Sequence, residues 1–210
     1  MTENQGSIIK RICVFCGSGT GRLPEYAAAA VELGHFLAEN SIGLVYGGAS
    51  IGIMGQVANA ALDRGGEVIG VVPEFLAVKE VAYTALDDLR IVPGMHERKA
   101  LMSELSDGFM ALPGGLGTIE EFVEVLTWLQ LGLHRKPCGL LNVSGYFDAF
   151  IEFLDHVTDQ QFLKQSDRDM VLVEPRPEHL IRNMLDFTAE ESSSKIAWAV
   201  KMNQSKADSL

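Results

Sequence analysis

The sequence has few cysteines and no long apolar run. Its 210 residues include three cysteines, too few for a disulfide framework. No apolar stretch approaches the roughly 20 residues that a membrane helix requires. The first ten residues lack the basic and apolar segments of a signal peptide. These absences predict a protein of the reducing cytoplasm with no membrane partner.

Positive charge is also scarce. The chain has 28 acidic and 17 basic residues, for a formal net charge of −11. Nucleic acids and anionic membranes attract clustered Lys and Arg, so neither is an expected partner. A phosphate site in this protein must therefore be local, built from a few basic side chains and from backbone N–H groups.

Several ligand-binding motifs are missing as well. No GK[ST] tripeptide of a P-loop occurs, and the turn Gly17-Ser18-Gly19-Thr20-Gly21 lacks the GxGxxG spacing of a dinucleotide site. No HxxxH, HExxH or Cys/His cluster indicates a metal. Cys13 and Cys16 have CxxC spacing, but residues 13–15 fall in a strand-like run, in which side chains alternate between faces, and this favours two buried small side chains over redox chemistry. We expect neither a metal nor a cofactor.

The sequence does contain a regular alternation of strand-like and helix-like segments. Apolar runs that predict strands lie at residues 11–15, 43–46, 67–72, 89–92, 108–112, 137–142 and 171–173. Helical patterns follow at residues 25–39, 52–63, 95–105, 119–131, 146–157 and 177–185. The alternation predicts an α/β fold in which a doubly wound parallel sheet lies between two layers of helices. We expect one domain over residues 1–187 and a mobile polar tail over residues 188–210.

Three predicted strands end in glycine-rich turns. The first is the turn at residues 17–19, the second is Gly47-Gly48-Ala49-Ser50, and the third is Pro113-Gly114-Gly115-Leu116-Gly117-Thr118. The carboxyl ends of parallel strands lie at one edge of a sheet, so these turns predict a shared crevice. Backbone amides at such helix starts bind anions. Because the dinucleotide and P-loop motifs are missing, a mononucleotide is the expected ligand. Ala49 is expected to keep a negative φ.

The helix after the third turn carries a carboxylate with two possible roles. Thr118 and Glu121 fit a capping box, in which Thr118 is the N-cap and Glu121 bonds back to its amide. In the second interpretation, Glu121 faces a ligand and Glu120 lines the pocket. The spacing alone supports both interpretations.

A second polar cluster is Met95-His96-Glu97-Arg98-Lys99. Arg98 is suited to bind a phosphate or a carboxylate with two N–H groups. Neighbouring residues on a helix point about 100° apart, so Arg98 and Lys99 would lie on different sides of a ligand. An exposed charged turn is the alternative interpretation.

Taken together, these motifs resemble one known family. Residues 95–99 match an MHxRK signature, and residues 113–121 match PGGxGTxxE. Over roughly residues 9–187 the sequence resembles the LONELY GUY family, cytokinin riboside 5′-monophosphate phosphoribohydrolases with a Rossmann-like fold. The resemblance implies hydrolysis of the N-glycosidic bond of adenosine 5′-monophosphate or its N6-modified forms to free base and ribose 5-phosphate. It also implies a homodimer.

The resemblance assigns roles to single residues. Glu121 would be the catalytic carboxylate and Arg98 its partner, whose charge we expect to lower the pKa of Glu121. The phosphate would lie on the third turn, and Glu80 would contact the purine. The implied substrate contacts are Gly17, Ser18, Gly47, Gly48, Glu80, Arg98, Lys99, Gly114, Gly115, Gly117, Thr118, Glu120 and Thr127.

Two other functions compete with this one. Related proteins with PGGxGT turns carry the molybdenum cofactor without catalysis, although a carrier has no need of a carboxylate beside a sugar. Lysine decarboxylase is a label attached to such sequences, but its chemistry needs a Schiff-base lysine for pyridoxal phosphate. No lysine of this chain lies in a signature for that role.

Overall fold

The computed structural model describes residues 9–77 and 82–188. In this part of the chain seven strands form one parallel sheet in the order β4-β3-β2-β1-β5-β6-β7. The strands are β1 (Arg11–Phe15), β2 (Gly43–Tyr46), β3 (Val68–Pro73), β4 (Asp88–Val92), β5 (Gly108–Ala111), β6 (Cys138–Leu141) and β7 (Val171–Glu174). The predicted α/β fold with a Rossmann-like parallel sheet is confirmed.

The helices lie in the connections between strands. They are α1 (Pro24–Glu39), α2 (Gly52–Asp63), α3 (Glu74–Ala77), α4 (Met95–Glu104), α5 (Leu116–Gln130), α6 (Asp148–Asp159), α7 (Gln165–Arg168) and α8 (Pro177–Asp186), with a 3-10 turn at Val143–Gly145. The sequence pattern does not predict α3, α7 or the 3-10 turn, because segments of three or four residues carry too little periodicity.

Side chains of the strands alternate between two cores, one on each face of the sheet. In β1, Ile12 and Val14 pack with α1, α2 and α8, whereas Cys13 and Phe15 pack with α4, α5 and α6. Burial on both faces explains why the central strands are nearly all apolar.

The chain reverses its direction of winding at β1, which lies between β2 and β5 in the sheet. Ligands of open α/β sheets bind at such a switch point, beyond the carboxyl ends of the strands. The three glycine-rich turns follow β1, β2 and β5, so they lie side by side at this edge. Their predicted convergence is confirmed.

Two predictions fall on residues that the structure does not describe. Glu80, the expected purine contact, lies in the gap at residues 78–81. The expected tail lies outside the described residues from residue 189 onward.

Candidate active site

The helix after the third turn begins earlier than the sequence predicts. Gly115 is the N-cap of α5, and the Ile119 amide donates to the Gly115 carbonyl at 3.2 Å. Thr118 therefore lies inside the first turn and is buried. The capping-box interpretation is wrong, because the Glu121 carboxylate bonds to Arg98 in place of the Thr118 amide.

The amino end of α5 opens to solvent. Amides 116–118 precede the first hydrogen bond within the helix, so they have no partner inside it. A Cβ built on Gly115 or on Gly117 would meet no atom within 4 Å. Positive dipole, unpartnered amides and open space together favour an anion at this point.

The third turn packs tightly behind this opening. The Gly17 amide donates to the Pro113 carbonyl at 3.1 Å and joins the first turn to the third. A Cβ at Gly114 would overlap Thr118 Oγ1 and would lie 2.8 Å from the Gly17 nitrogen. Glycine at position 114 is therefore required by close packing of the backbone, and Thr118 serves to fix the turn.

The second turn makes room for Arg98. A Cβ at Gly47 would overlap the Arg98 guanidinium, so this glycine lets the guanidinium lie against the end of β2. Gly48 has φ +72° and a carbonyl that accepts from the Tyr83 amide at 2.8 Å. Ala49 keeps φ outside the left-handed region, as predicted.

Arg98 and Glu121 form a buried ion pair between α4 and α5. Arg98 Nη1 donates to Glu121 Oε1 at 2.5 Å, and Arg98 Nε donates to the Val71 carbonyl of β3 at 3.0 Å. Both side chains are only 9% exposed. Within the described residues, no donor reaches Glu121 Oε2. Arg98 thus fixes one carboxylate oxygen and leaves the other for a ligand.

Burial decides the proton affinity of Glu121. Desolvation raises the pKa of Glu121 above its ordinary value, and the positive charge of Arg98 opposes this shift without cancelling it. The expected lowering contribution of Arg98 is confirmed, but desolvation is larger and the pKa of Glu121 is raised overall. A carboxylate with a raised pKa is a better proton acceptor than an exposed one.

Lys99 faces a different set of partners. Its ammonium bonds to Glu120 at 2.7 Å and to Glu124 at 3.0 Å, and it is 12% exposed. Partial burial acts against the charged form, yet the hydrogen bonds to both glutamates raise the pKa of Lys99. Arg98 and Lys99 therefore bond to separate carboxylates, and their placement on different sides of a ligand stays a prediction.

Not every expected contact approaches the ion pair. Thr127 is exposed and donates to the Val123 carbonyl of its own helix at 2.7 Å. It shares the face of α5 that carries Glu120 and Glu124, because residues three and four apart on a helix are neighbours. Ser18 is exposed in the first turn.

The first turn closes the amino end of α2. The Ile53 amide donates to the Gly19 carbonyl and the Met54 amide to the Gly17 carbonyl, each at 3.2 Å. Two of the amides that begin this helix are therefore occupied by the protein itself. The first and second turns support the site, whereas the third turn presents free amides.

The cysteines lie beneath the site as neutral side chains. Cys13 and Cys16 are free and buried, and burial raises the pKa of both thiols. Their interpretation as small buried side chains is confirmed.

Across residues 9–77 and 82–188, no cluster of three His, Cys, Asp or Glu side chains is arranged to hold a metal. The helices of the same residues include none with the length and hydropathy to span a bilayer.

Tyr146 is a contact that the sequence analysis did not identify. Its hydroxyl donates to the Gly114 carbonyl, and its ring meets Tyr26 edge-on at 5.3 Å between centroids. The sequence pattern predicts a helix that includes Tyr146, but α6 begins at Asp148. The loop after β6 lies at the same edge as the glycine turns, and this is the signal that could have identified it.

Comparison with known proteins agrees with these motifs. A family model described as possible lysine decarboxylase matches residues 54–184. The cytokinin riboside 5′-monophosphate phosphoribohydrolase LOG7 of Arabidopsis thaliana is 44% identical over 198 residues, which cover 93% of this chain and 91% of the relative. The corresponding LOG enzyme of Oryza sativa subsp. japonica is 46% identical, over 97% of this chain and 84% of the relative. The chain belongs to the LONELY GUY family.

The LONELY GUY chain also shares its fold with a more distant protein. The molybdenum cofactor binding protein of Rippkaea orientalis superposes with a TM-score of 0.63 at 23% identity, over 82% of this chain and 93% of that one. At this identity the likeness concerns the fold alone.

Proposed function

We propose that this protein hydrolyses the N-glycosidic bond of adenosine 5′-monophosphate and of N6-modified adenosine monophosphates, the cytokinin nucleotides. The observation that carries the proposal is the buried Arg98–Glu121 pair beside an open helix start. A nucleoside monophosphate needs an anion site and a carboxylate at opposite ends of one ligand. The relatives named as phosphoribohydrolases support the same reaction.

The phosphate docks on the amides at the start of α5. The contacts we assign to it are Gly114, Gly115, Gly117 and Thr118, of which Gly115 and Gly117 border open space. Gly17, Ser18, Gly47 and Gly48 line the adjoining turns, and Lys99, Glu120 and Thr127 lie on the outer side of the α4–α5 pair. We assign Glu80, which lies between α3 and β4 in the sequence, to contact the purine.

Glu121 faces the sugar. Side chains of a helix lean toward its amino end, so the carboxylate extends back toward the docked phosphate. In the reaction the bond between C1′ and the base breaks, and its electron pair leaves with the base, which takes up a proton. Water adds to C1′ and loses a proton. Glu121 stabilises the positive charge that develops on the ribose and accepts the proton of the attacking water.

The two competing functions are less well supported. A molybdenum cofactor carrier shares the fold, but it offers no use for a buried carboxylate with one free oxygen. A decarboxylase would need a neutral lysine in the crevice. Lys99, the lysine of α4 next to the ion pair, stays charged between Glu120 and Glu124.

The decisive experiment incubates the protein with adenosine 5′-monophosphate and measures the released adenine by chromatography. Glu121→Gln is expected to lower the rate about 10³-fold, because it removes the charge and the proton acceptor but keeps an oxygen for Arg98. The thermal midpoint is expected to stay near that of the wild type. Isopentenyl-AMP, GMP and CMP as alternative substrates would define the base preference.

The matched control is Glu97→Gln, which changes an exposed carboxylate on α4 next to Arg98. It is expected to keep wild-type activity. Retained activity in Glu121→Gln together with a large loss of stability would contradict the proposal. A protein that binds adenosine 5′-monophosphate without releasing base would favour the carrier.

The exposed face of α5 supports assembly into a homodimer. Val123 is 38% exposed, and Leu133, just beyond the helix, is 67% exposed. A second copy packed on this face would bury these apolar side chains. Light scattering is expected to give twice the mass of the chain.

The three free cysteines agree with a cytoplasmic location.

A further inference from the structure

We infer that Tyr146 is a positioning residue for the phosphate-binding turn, and that its hydroxyl sets the direction of the Gly115 amide. The inference rests on the proposed function, in which this turn takes the phosphate. Tyr146 lies in the connection between β6 and α6, outside both sequence motifs of the site.

The hydroxyl acts on a single peptide plane. It donates to the Gly114 carbonyl, which belongs to the peptide unit that joins Gly114 to Gly115. In a trans peptide the C=O and the N–H point in opposite directions. With the carbonyl held on the Tyr146 side, the Gly115 N–H must point away from Tyr146. No peptide bond within residues 9–77 and 82–188 is cis.

This constraint matters because the turn is rich in glycine. Gly115 has no Cβ to restrict its backbone, and its surroundings are open. A Gly-Gly peptide rotates more easily than other peptides, so a free turn would sample several amide directions. A hydrogen bond from outside the turn removes this freedom before the ligand arrives, and pre-organisation of this kind increases affinity.

Tyr146 is itself held firmly. The Tyr146 amide donates to the Val143 carbonyl at 3.0 Å, and the next amide, of Phe147, donates to Asn142 Oδ1 at 2.8 Å. Its ring packs edge-on against Phe147 at 5.0 Å and against Tyr26 at 5.3 Å. The loop therefore presents the hydroxyl in a fixed position.

The test is Tyr146→Phe, which keeps the ring contacts and removes the hydroxyl. We expect the KM for adenosine 5′-monophosphate and the inhibition constant of ribose 5-phosphate to rise together by about tenfold. An effect of this size corresponds to the loss of one hydrogen bond. The kcat should change less than the KM. Inhibition by adenosine, which lacks the phosphate, should stay at its wild-type value. The control is Tyr26→Phe, which removes the hydroxyl of the neighbouring ring and should leave all three constants unchanged.

Two results would overturn the inference. In the first, Tyr146→Phe binds ribose 5-phosphate as well as the wild type does. In the second, it binds adenosine and ribose 5-phosphate equally poorly and melts at a lower temperature, which would indicate a general structural role. Calorimetric binding of ribose 5-phosphate to both proteins reports on Tyr146 without turnover. Failure of the proposed function would appear separately, as a wild-type protein that releases no adenine.

Discussion

Helices α2 and α5 both begin after a glycine-rich turn at the same edge of the sheet, but they differ in what their first amides do. At α2, the amides of Ile53 and Met54 bond to carbonyls of the first turn. At α5, Gly115 and Gly117 border open space. A glycine-rich helix start is therefore a binding site only if no neighbouring loop fills it.

Helices α2 and α5 also differ in the residue that lies six positions after the N-cap. Six residues after the N-cap, α2 carries Val57 and α5 carries Glu121. Val57 is fully buried in the apolar core, whereas Glu121 is buried against Arg98. The same position thus serves packing in one helix and chemistry in the other. Three measurements would sharpen this contrast.

The largest effect is expected from alanine substitutions at the two helix starts. Gly52 has φ +63°, and a Cβ there would overlap the Ser18 carbonyl. Gly52→Ala is expected to lower the free energy of unfolding by about 2 kcal/mol or more. Gly117→Ala meets open space inside a helix and is expected to raise it by about 0.5–1 kcal/mol. Urea denaturation of both variants measures the difference, and equal effects would contradict the contrast between closed and open starts.

A smaller effect is expected when one amide of α5 is removed. Leu116 is the first residue of α5, a position that accepts proline, as Pro24 and Pro177 show in α1 and α8. Leu116→Pro is expected to raise the KM for adenosine 5′-monophosphate about tenfold, because it removes one of amides 116–118, which form the helix start where the phosphate docks. The thermal midpoint should not change.

Leu116→Ala is the matched control for this variant. It removes the same side chain and keeps the amide, so the KM is expected to stay at the wild-type value. If Leu116→Ala weakens binding as much as Leu116→Pro does, the side chain matters and the amide does not.

The smallest effect concerns the pH dependence of stability. Burial raises the pKa of Glu121 in the folded state, so the folded protein holds this proton more tightly than the unfolded chain does. The stability that this carboxyl contributes is present below the ordinary glutamate pKa and is lost as pH rises through the folded pKa. The free energy of unfolding of the wild type, minus that of Glu121→Gln, should fall from about pH 4 toward neutrality.

Urea titrations of both proteins at several pH values measure this difference. The Gln variant is the internal control, because all other titrating groups are common to the two proteins. A difference that increases with pH would show that the charge of Arg98 outweighs burial at this site.

Much of the fold follows from local patterns in the sequence. The predicted strand at residues 11–15 and the predicted helix at residues 52–63 agree with the structure at both ends. Apolar runs of strand length and helical periodicity are local properties, so a single sequence reveals them. The structure begins α5 three residues before the predicted start, because the capping-box spacing of Thr118 and Glu121 places the N-cap at Thr118 and the structure places it at Gly115.

The site was predictable only in part. Glycine-rich turns and the Arg98-Lys99 pair are visible as motifs, and a parallel sheet brings the turns to one edge. The partners of these residues depend on which strands are neighbours and on where each side chain points. The Arg98–Glu121 pair spans 23 positions, and the Tyr146–Gly114 hydrogen bond spans 32. No local pattern specifies contacts at such separations.

The amino-acid sequence by itself determined the alternation of strands and helices, the parallel sheet and the three turns that converge at its switch point, because these depend on periodicity and on glycine. Only the tertiary structure decided that α5 stays open while α2 is closed, and that Glu121 is buried with one oxygen on Arg98. Those outcomes depend on distances between segments that are remote in the chain, and the pKa of Glu121 depends on the solvent that those segments exclude.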